Sequence, residues 1–272
     1  MTMNRQLKSM TISLISLIRQ SNSNRFKGDY LNWKEVLRVT DGYGDASILT
    51  AVQKSTRKVV RGEAKYERDQ ILFNDSVKRW PLIGALLLQS LKMSSNKVLS
   101  VMDFGGSLGS TYYQIRDVIE DVVQLRWSVI DQADFVAAGK AEFETEVLRF
   151  RESISECLVQ DQPTVALLSC VLSYVENPYE ILEEILATGL PMVILDRALL
   201  IEGSNDRLAA QLVSDNLGGG SYPIWFLSRE KLEKFLCKDY TILSMFEGLD
   251  GTVSLVFPFD TAHSRGYVLV KK

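Results

Sequence analysis

The chain has 272 residues, 46% hydrophobic and 24% charged, with a net charge of −3, the make-up of a soluble globular protein of one large domain or one domain plus an appendage. That balance supplies no bulk positive surface for a polyphosphate, so nucleic acid is not expected as a partner. One histidine (His263) and three cysteines without CxxC spacing (Cys157, Cys170, Cys237) exclude HExxH and Cys/His metal sites and a disulfide framework. A reducing, cytoplasmic setting and no metal are expected.

Leu7 to Ile18 (LKSMTISLISLI) is apolar but broken by Lys8, Ser9, Ser13 and Ser16, and is too short to span a bilayer. It reads as a short helix on the body, or as a helix on a membrane surface or at an oligomer contact. It has no convincing small-residue cleavage site, so no signal peptide is expected from it. Helical patterns dominate residues 1–96: Trp33 to Thr40, Ala46 to Val59 and Trp80 to Lys92. Ser94-Ser95-Asn96 reads as a linker. The expected organisation is an N-terminal helical extension or lid over 1–96 and a second domain over 97–272.

From Lys97 strand and helix alternate. Lys97–Asp103 is a buried-strand pattern. Gly109–Val123 follows as a helix with Ile115, Val118, Ile119 and Val122 on one face. Further strands are expected at Arg126–Asp131, Val147–Phe150, Pro163–Ser169 and Pro191–Asp196, with a helix over Phe135–Glu146. Asn177 and Pro178 open another helix, with Glu180 placed to complete a capping box and Gly189 to end it. Ser228 starts a further helix. The C-terminus holds β-runs at Tyr240–Phe246 and Gly266–Val270, with Val253–Phe257 a third candidate. Such alternation implies a parallel sheet covered on both faces, and the β-rich tail implies a hairpin at one edge.

Gly105, Gly106 and Gly109 crowd the turn between the first of these strands and its helix. In an open α/β sheet, ligands bind outside the carboxyl ends of strands, and the helix N-terminus there offers free N–H groups. Asp131 ends the second strand, where an acid accepts hydrogen bonds from ribose hydroxyls. The turn therefore reads as a nucleoside-cofactor site, against the plainer reading of glycines needed only for strand–helix packing. The order G-G-x-x-G, with Asp103 two residues ahead, departs from the dinucleotide fingerprint G-x-G-x-x-G.

DFGGSLG (Asp103–Gly109) resembles the first motif of class I S-adenosylmethionine (SAM)-dependent methyltransferases, with Ser107 in place of the middle glycine. TVALLSCVLSYVENP (Thr164–Pro178) looks like that superfamily's fourth strand and following loop. GDYLNWKEVL (Gly28–Leu37), RGEAKYERDQILF (Arg61–Phe73), WPLIGALL (Trp80–Leu87) and SYPIWFLS (Ser221–Ser228) resemble a bacterial methyltransferase family associated with surface-polysaccharide gene clusters. The resemblance covers most of the chain. It implies a Rossmann-like seven-stranded class I methyltransferase sheet with an N-terminal helical extension. It further implies SAM as cofactor with S-adenosylhomocysteine (SAH) as product, and O-methylation of a sugar or glycan precursor.

By the same resemblance, Asp103, Gly105, Gly106, Ser107 and Gly109 wall the SAM methionine and ribose, and Asp131 binds the ribose hydroxyls. Asp103 has an equal reading as a purely structural acid holding the loop. Gln132 lies beside the ribose and adenine, Arg151 and Glu152 flank the adenine, and Ser169, Cys170 and Val171 lie under the sulfonium. A sugar hydroxyl also needs a base. Asp196 ends the fifth strand beside Arg197, which makes it a candidate base or substrate ligand, or else an ion-pair partner. Tyr222 is a second catalytic candidate. YERD (Tyr66–Asp69), in a stretch expected to be helical, reads by default as a solvated face; by the resemblance Tyr66, Glu67 and Arg68 join Arg197 and Trp225 as candidates for substrate contact, the aromatic rings equally suiting a core. His263 reads mainly as a solvated loop residue. Asn177-Pro178-Tyr179 has the look of the [DN]PP[YF] box of amino-group methyltransferases but lies eight residues past Ser169, so a helix cap explains it. The competing functions are a methyltransferase-like protein that binds without catalysis and a nicotinamide-dependent oxidoreductase. The spacing and the β-rich tail speak against the second.

Overall fold

The computed structural model describes residues 25–42, 46–74, 79–93, 98–214, 219–254 and 261–272. The Leu7–Ile18 stretch, the 94–97 linker and residues 255–260 lie outside them.

Five parallel strands form the centre: β4 (Leu99–Phe104), β5 (Leu125–Ile130), β6 (Leu148–Arg151), β7 (Val165–Ser169) and β8 (Met192–Ile201). They lie in the order β6-β5-β4-β7-β8. A long hairpin, β11 (Tyr240–Ser254) and β12 (Thr261–Lys271), closes the edge beyond β8. Its second strand is inserted antiparallel beside β8, from Met192–Val270 up to Leu200–His263. The result is the expected seven-stranded Rossmann-like sheet, with one antiparallel strand next to its edge. β8 is buried along its whole length, as a strand covered on both faces must be.

Side chains alternate between two cores. Val101, Trp127, Val129, Val165, Leu167, Met192 and Ile194 face one. On that face pack α2 (Ala46–Val60), α3 (Trp80–Lys92), α4 (Ser110–Ile119) and α5 (Ala133–Glu142). Met102, Ile130, Ala166, Leu168, Val193 and Leu195 face the other, against α6 (Ile154–Asp161), α7 (Pro178–Ala187) and α8 (Arg229–Leu236). Ser228 caps α8 by accepting the Lys231 N–H at 3.1 Å. Asn177 and Pro178 do open α7, but no side-chain bond caps it. The expected side-chain cap is absent: Asn177 sits at φ −121°, ψ 74°, outside the extended backbone from which an N-cap side chain reaches the first turn.

The region before residue 97 is not solely helical. Besides the short α1 (Trp33–Leu37), β1 (Arg25–Tyr30) pairs antiparallel with β9 (Arg207–Leu212), and β9 pairs with β10 (Ser221–Ser228). These three strands form an antiparallel layer attached to the upper end of β8, where Leu227 and Ser228 align with Leu200 and Ile201. The YER stretch, expected as helix, is β2 (Tyr66–Arg68) in a hairpin with β3 (Ile71–Phe73). Asp69 and Gln70 turn it in left-handed backbone. His263 lies on β12 rather than in a loop, with Nδ1 3.3 Å from the Thr252 hydroxyl.

Candidate active site

The carboxyl ends of β4, β5 and β7 meet under the glycine turn. Gly105 N–H bonds the Ile130 carbonyl at 2.7 Å, tying the turn to β5. Gly105 has φ +72°, and a Cβ there would collide with Val171. A Cβ on Gly106 would meet the Asp103 carboxylate. Packing within the chain is thus enough to demand both glycines. Asp103 lies fully buried beneath the turn. Its Oδ2 accepts the Trp127 indole N–H at 2.8 Å, and its Oδ1 has no partner. Burial raises its pKa to about 7.

Asp131 follows β5 directly and reaches the turn. One oxygen accepts the Ser107 N–H at 2.8 Å and the other its neighbour's, Gln132 N–H, at 2.8 Å. Desolvation pushes the Asp131 pKa up and the two N–H bonds oppose it. Each carboxylate oxygen has two acceptor sites, so both retain capacity for a ribose diol. Gln132 is exposed beside it. Arg151, at the end of β6, is engaged by Asp161 through Nε and Nη2 at 2.7 and 2.8 Å. Glu152 is exposed, with Lys140 3.4 Å away.

A second polar group lies where β7 ends against β8. Ser169 Oγ donates to Asp196 Oδ2 at 2.6 Å, and the buried Arg79 pairs with the same carboxylate. Burial, followed by the nearby charges of Arg197 and Arg68, lowers the Arg79 pKa to about 9. Cys170 N–H bonds the Asp196 carbonyl at 2.8 Å, and burial raises its thiol to about 11, so it is protonated. Arg197, in left-handed backbone at φ +58°, grips Asp250 from the β11–β12 hairpin at 2.8 and 3.0 Å; Asp69 lies 3.9 Å away.

Hairpin β2–β3 covers the glycine turn from the side. The Glu67 carboxyl, fully buried, accepts the Ser110 hydroxyl at the start of α4 and the Gln70 N–H at 3.2 Å. Tyr66 stacks on Phe73 with centroids 4.8 Å apart, and Arg68 lies over the same ring. Tyr222 and Trp225 are three residues apart on β10 and so point to opposite faces. Trp225 stacks on Trp33 and donates to the Glu176 carbonyl, while Tyr222 lies opposite Gln211 on β9.

The chain therefore gathers Asp103, the glycine turn, Asp131, Ser169, Cys170, Val171, Asp196 and Arg197 along one sheet edge, with Glu67 against it. Arg151, Glu152 and Trp225 face other partners. Arg79 and Asp250 carry no sequence signal, and Asp69 stands out only as the end of the polar YERD stretch; only the tertiary fold joins them to this edge. Five of the six described non-glycine residues with positive φ (Ser107, Cys170, Arg197, Asp69 and Gln70) belong to this edge. Such strain persists only where surroundings over-determine it, and it clusters at functional sites.

No protein-family model matches the chain, and no curated protein matches it. Among solved structures it is similar to a cysteine-to-alanine variant of LepI in complex with SAH and a substrate analogue (11% identity, TM-score 0.46, 83% of this chain and 55% of that one). It is also similar to the N-terminal domain of EvdMO1 in the presence of SAH and D-fucose (13%, 0.43, 79% and 97%). A third match is the glycopeptide N-methyltransferase MtfA complexed with SAM (9%, 0.44, 69% and 92%). The chain spans about half the length of the first of these. Among the described residues no group of three or more His, Cys, Asp or Glu could hold a metal ion, and no helix is long and apolar enough to cross a membrane.

Proposed function

We propose that the chain is a SAM-dependent methyltransferase. The observation that carries this reading is Asp131, set at the end of β5 with its carboxylate on the backbone of the Asp103–Gly109 turn. The residues present fit an adenosyl cofactor. Asp131 keeps acceptor capacity for two hydroxyls, the turn presents backbone, and Asp103 has a buried oxygen without a partner. On this reading Asp131 holds the ribose, with Gln132 beside it, and Asp103, Gly105, Gly106, Ser107 and Gly109 line the methionine side. Ser169, Cys170 and Val171 form the floor. When bound, SAM supplies an electrophilic methyl on a sulfonium. The chain's own task is then to align a nucleophile and exclude water.

The finer reading is O-methylation of a sugar or glycan precursor of a surface polysaccharide, by a cytoplasmic enzyme. Residues 1–96 serve as its cover, with Tyr66, Glu67, Arg68, Arg197, Tyr222 and Trp225 the candidates that meet the acceptor. Asp196 supports a methyl-accepting hydroxyl as base or ligand only if it can leave Arg79. That ion pair is the one observation favouring the second reading, a protein that binds the cofactor without turnover.

Calorimetric titration with SAM, SAH and NAD tests the proposal. Saturable binding of the two adenosyl ligands alone is the expected result. NAD binding alone would replace it with the oxidoreductase reading, and no binding at all would refute it.

A further inference from the structure

Outside the cofactor edge, two half-buried aromatic side chains, Tyr179 and Trp225, wall an open groove of about 210 Å³ between the start of α7, the start of β9, β10 and α8. Both rings are held in place. Trp225 stacks on Trp33 of α1 with centroids 6.5 Å apart, and its indole N–H donates to the Glu176 carbonyl at 3.3 Å. The Tyr179 hydroxyl donates to Asp206 at 3.0 Å, and its ring forms a T-shaped pair with Phe235, 5.3 Å between centroids. Rigid rings of this kind give contact area at little cost in conformational entropy. Polar groups with capacity to spare stand around them. Glu176, Asn177 and Glu180 line the groove and are exposed, and among the described residues their side chains take no hydrogen bond or ion pair.

The lining selects a ligand by exclusion. Three carboxylates (Glu176, Glu180 and Asp206) against one ammonium (Lys231) repel an anion. A ligand cation would find its place taken: the Lys231 ammonium lies 4.3 Å from the Tyr179 ring centroid and pairs with Asp206. What remains is a neutral ligand with apolar faces for the rings and hydroxyls for the free carboxylates and amide. The volume falls below the roughly 300–1,000 Å³ of sites for drug-sized ligands, so the groove suits a single ring. A hexose has this make-up, with C–H groups on its faces and hydroxyls, each both donor and acceptor, around its rim.

The groove lies at the carboxyl pole of the sheet, as the glycine turn does. α7 begins there after β7, and Ser228, which opens α8, aligns with Ile201 at the end of β8. Val171, beside Gly105, leads to Glu176 through one turn of 3₁₀ helix (Val171–Tyr174). Five residues of chain reach at most about 18 Å.

We propose that this groove is a sugar subsite, holding one hexose unit of a glycan acceptor at a distance from the unit that is methylated. The word acceptor rests on the methyltransferase reading; the sugar site itself does not need the cofactor.

The test uses the full chain with D-glucose, D-galactose, D-mannose and N-acetylglucosamine as probes, tetramethylammonium chloride as the cationic control, and SAH titrated in parallel. Saturation-transfer NMR reads which probe protons touch the protein. At least one of the four sugars binds saturably, with the largest transfer to its ring C–H protons. Trp225→Ala weakens that binding about tenfold. Because this change also removes the stack on Trp33, Glu180→Gln serves as the second variant: it weakens sugar binding several-fold and leaves the thermal midpoint in place. SAH affinity is unchanged in both. A wild-type chain that binds none of the four sugars, or one whose sugar binding survives either substitution, overturns the proposal. So does saturable binding of tetramethylammonium alone, which would make the groove a cation cage. Sugar binding without SAH binding would sink the cofactor reading and leave the subsite standing; SAH binding without sugar binding would do the reverse.

Discussion

Asp131 does two things at once. It holds Ser107 in left-handed backbone through that residue's N–H, and it offers its remaining lone pairs outward. Asp131→Ala removes both. Hydrogen bonds to a charged group contribute about 1.5–3 kcal/mol, so SAH should bind roughly 10- to 100-fold more weakly with the circular dichroism spectrum unchanged. Unaltered affinity by calorimetry would remove Asp131 from the ribose. Asp196 poses the opposite problem, since its carboxylate already has Arg79 and Ser169. Asp196→Asn strands a buried guanidinium and should cost about 3–5 kcal/mol. Pairing it with Arg79→Met should recover most of that loss in urea midpoints. A single variant that keeps its stability but loses turnover would instead make Asp196 a base or substrate ligand.

At the scale of elements, hairpin β2–β3 is fastened to α4 by one buried carboxyl. Burial raises the Glu67 pKa from 4.5 to about 7; Asp69 adds to this, and the Ser110 and Gln70 hydrogen bonds oppose it. Between those two values the native chain holds a proton that the unfolded chain has lost. Stability is therefore full below the lower value and falls as pH rises to the upper one, by about 3 kcal/mol for a shift of this size. Glu67→Gln, which cannot titrate, should remove that part of the slope. Equal slopes for wild type and variant in urea titrations from pH 4.5 to 7.5 would show that the carboxyl is solvated in solution. This hairpin was not legible in the sequence, for YER is polar and its turn rests on Asp69 and Gln70, neither a glycine nor a proline. β9 and β10 were missed for a related reason. Arg207 and Gln211 put polar groups on a buried face, and Pro223 breaks the strand pattern of SYPIWFLS. The parallel strands were legible because both their faces are buried, which leaves continuous apolar runs such as TVALLS and PMVILD. The glycine turn was legible as a turn. That Val171 and Asp103 themselves demand Gly105 and Gly106 depends on contacts with the next strand's loop and with the acid beneath, which spacing does not encode.

At the scale of the molecule, two structures share β8. Its first half belongs to the parallel sheet and lies beside β7; its second half runs on past Asp196 and carries the antiparallel layer of β10, β9 and β1. The layer has a small core of its own, with Phe26 edge-on to Phe226 at 5.2 Å, while the turn, Asp103 and Asp131 depend on β4, β5 and the larger cores. Loosening the layer should leave the adenosyl side intact. Phe226→Ala removes a fully buried ring, a loss of about 3–5 kcal/mol, and should act first on the layer because local units open below the global free energy. Amide exchange should quicken at least tenfold in residues 25–30, 207–212 and 221–228 and stay unchanged in β4 and β5, with the SAH dissociation constant within about twofold of wild type. Faster exchange spread evenly over the whole sheet, or SAH binding lost along with the layer, would mean that the molecule unfolds as one unit and that β1, β9 and β10 are part of the cofactor fold rather than a cover built on it.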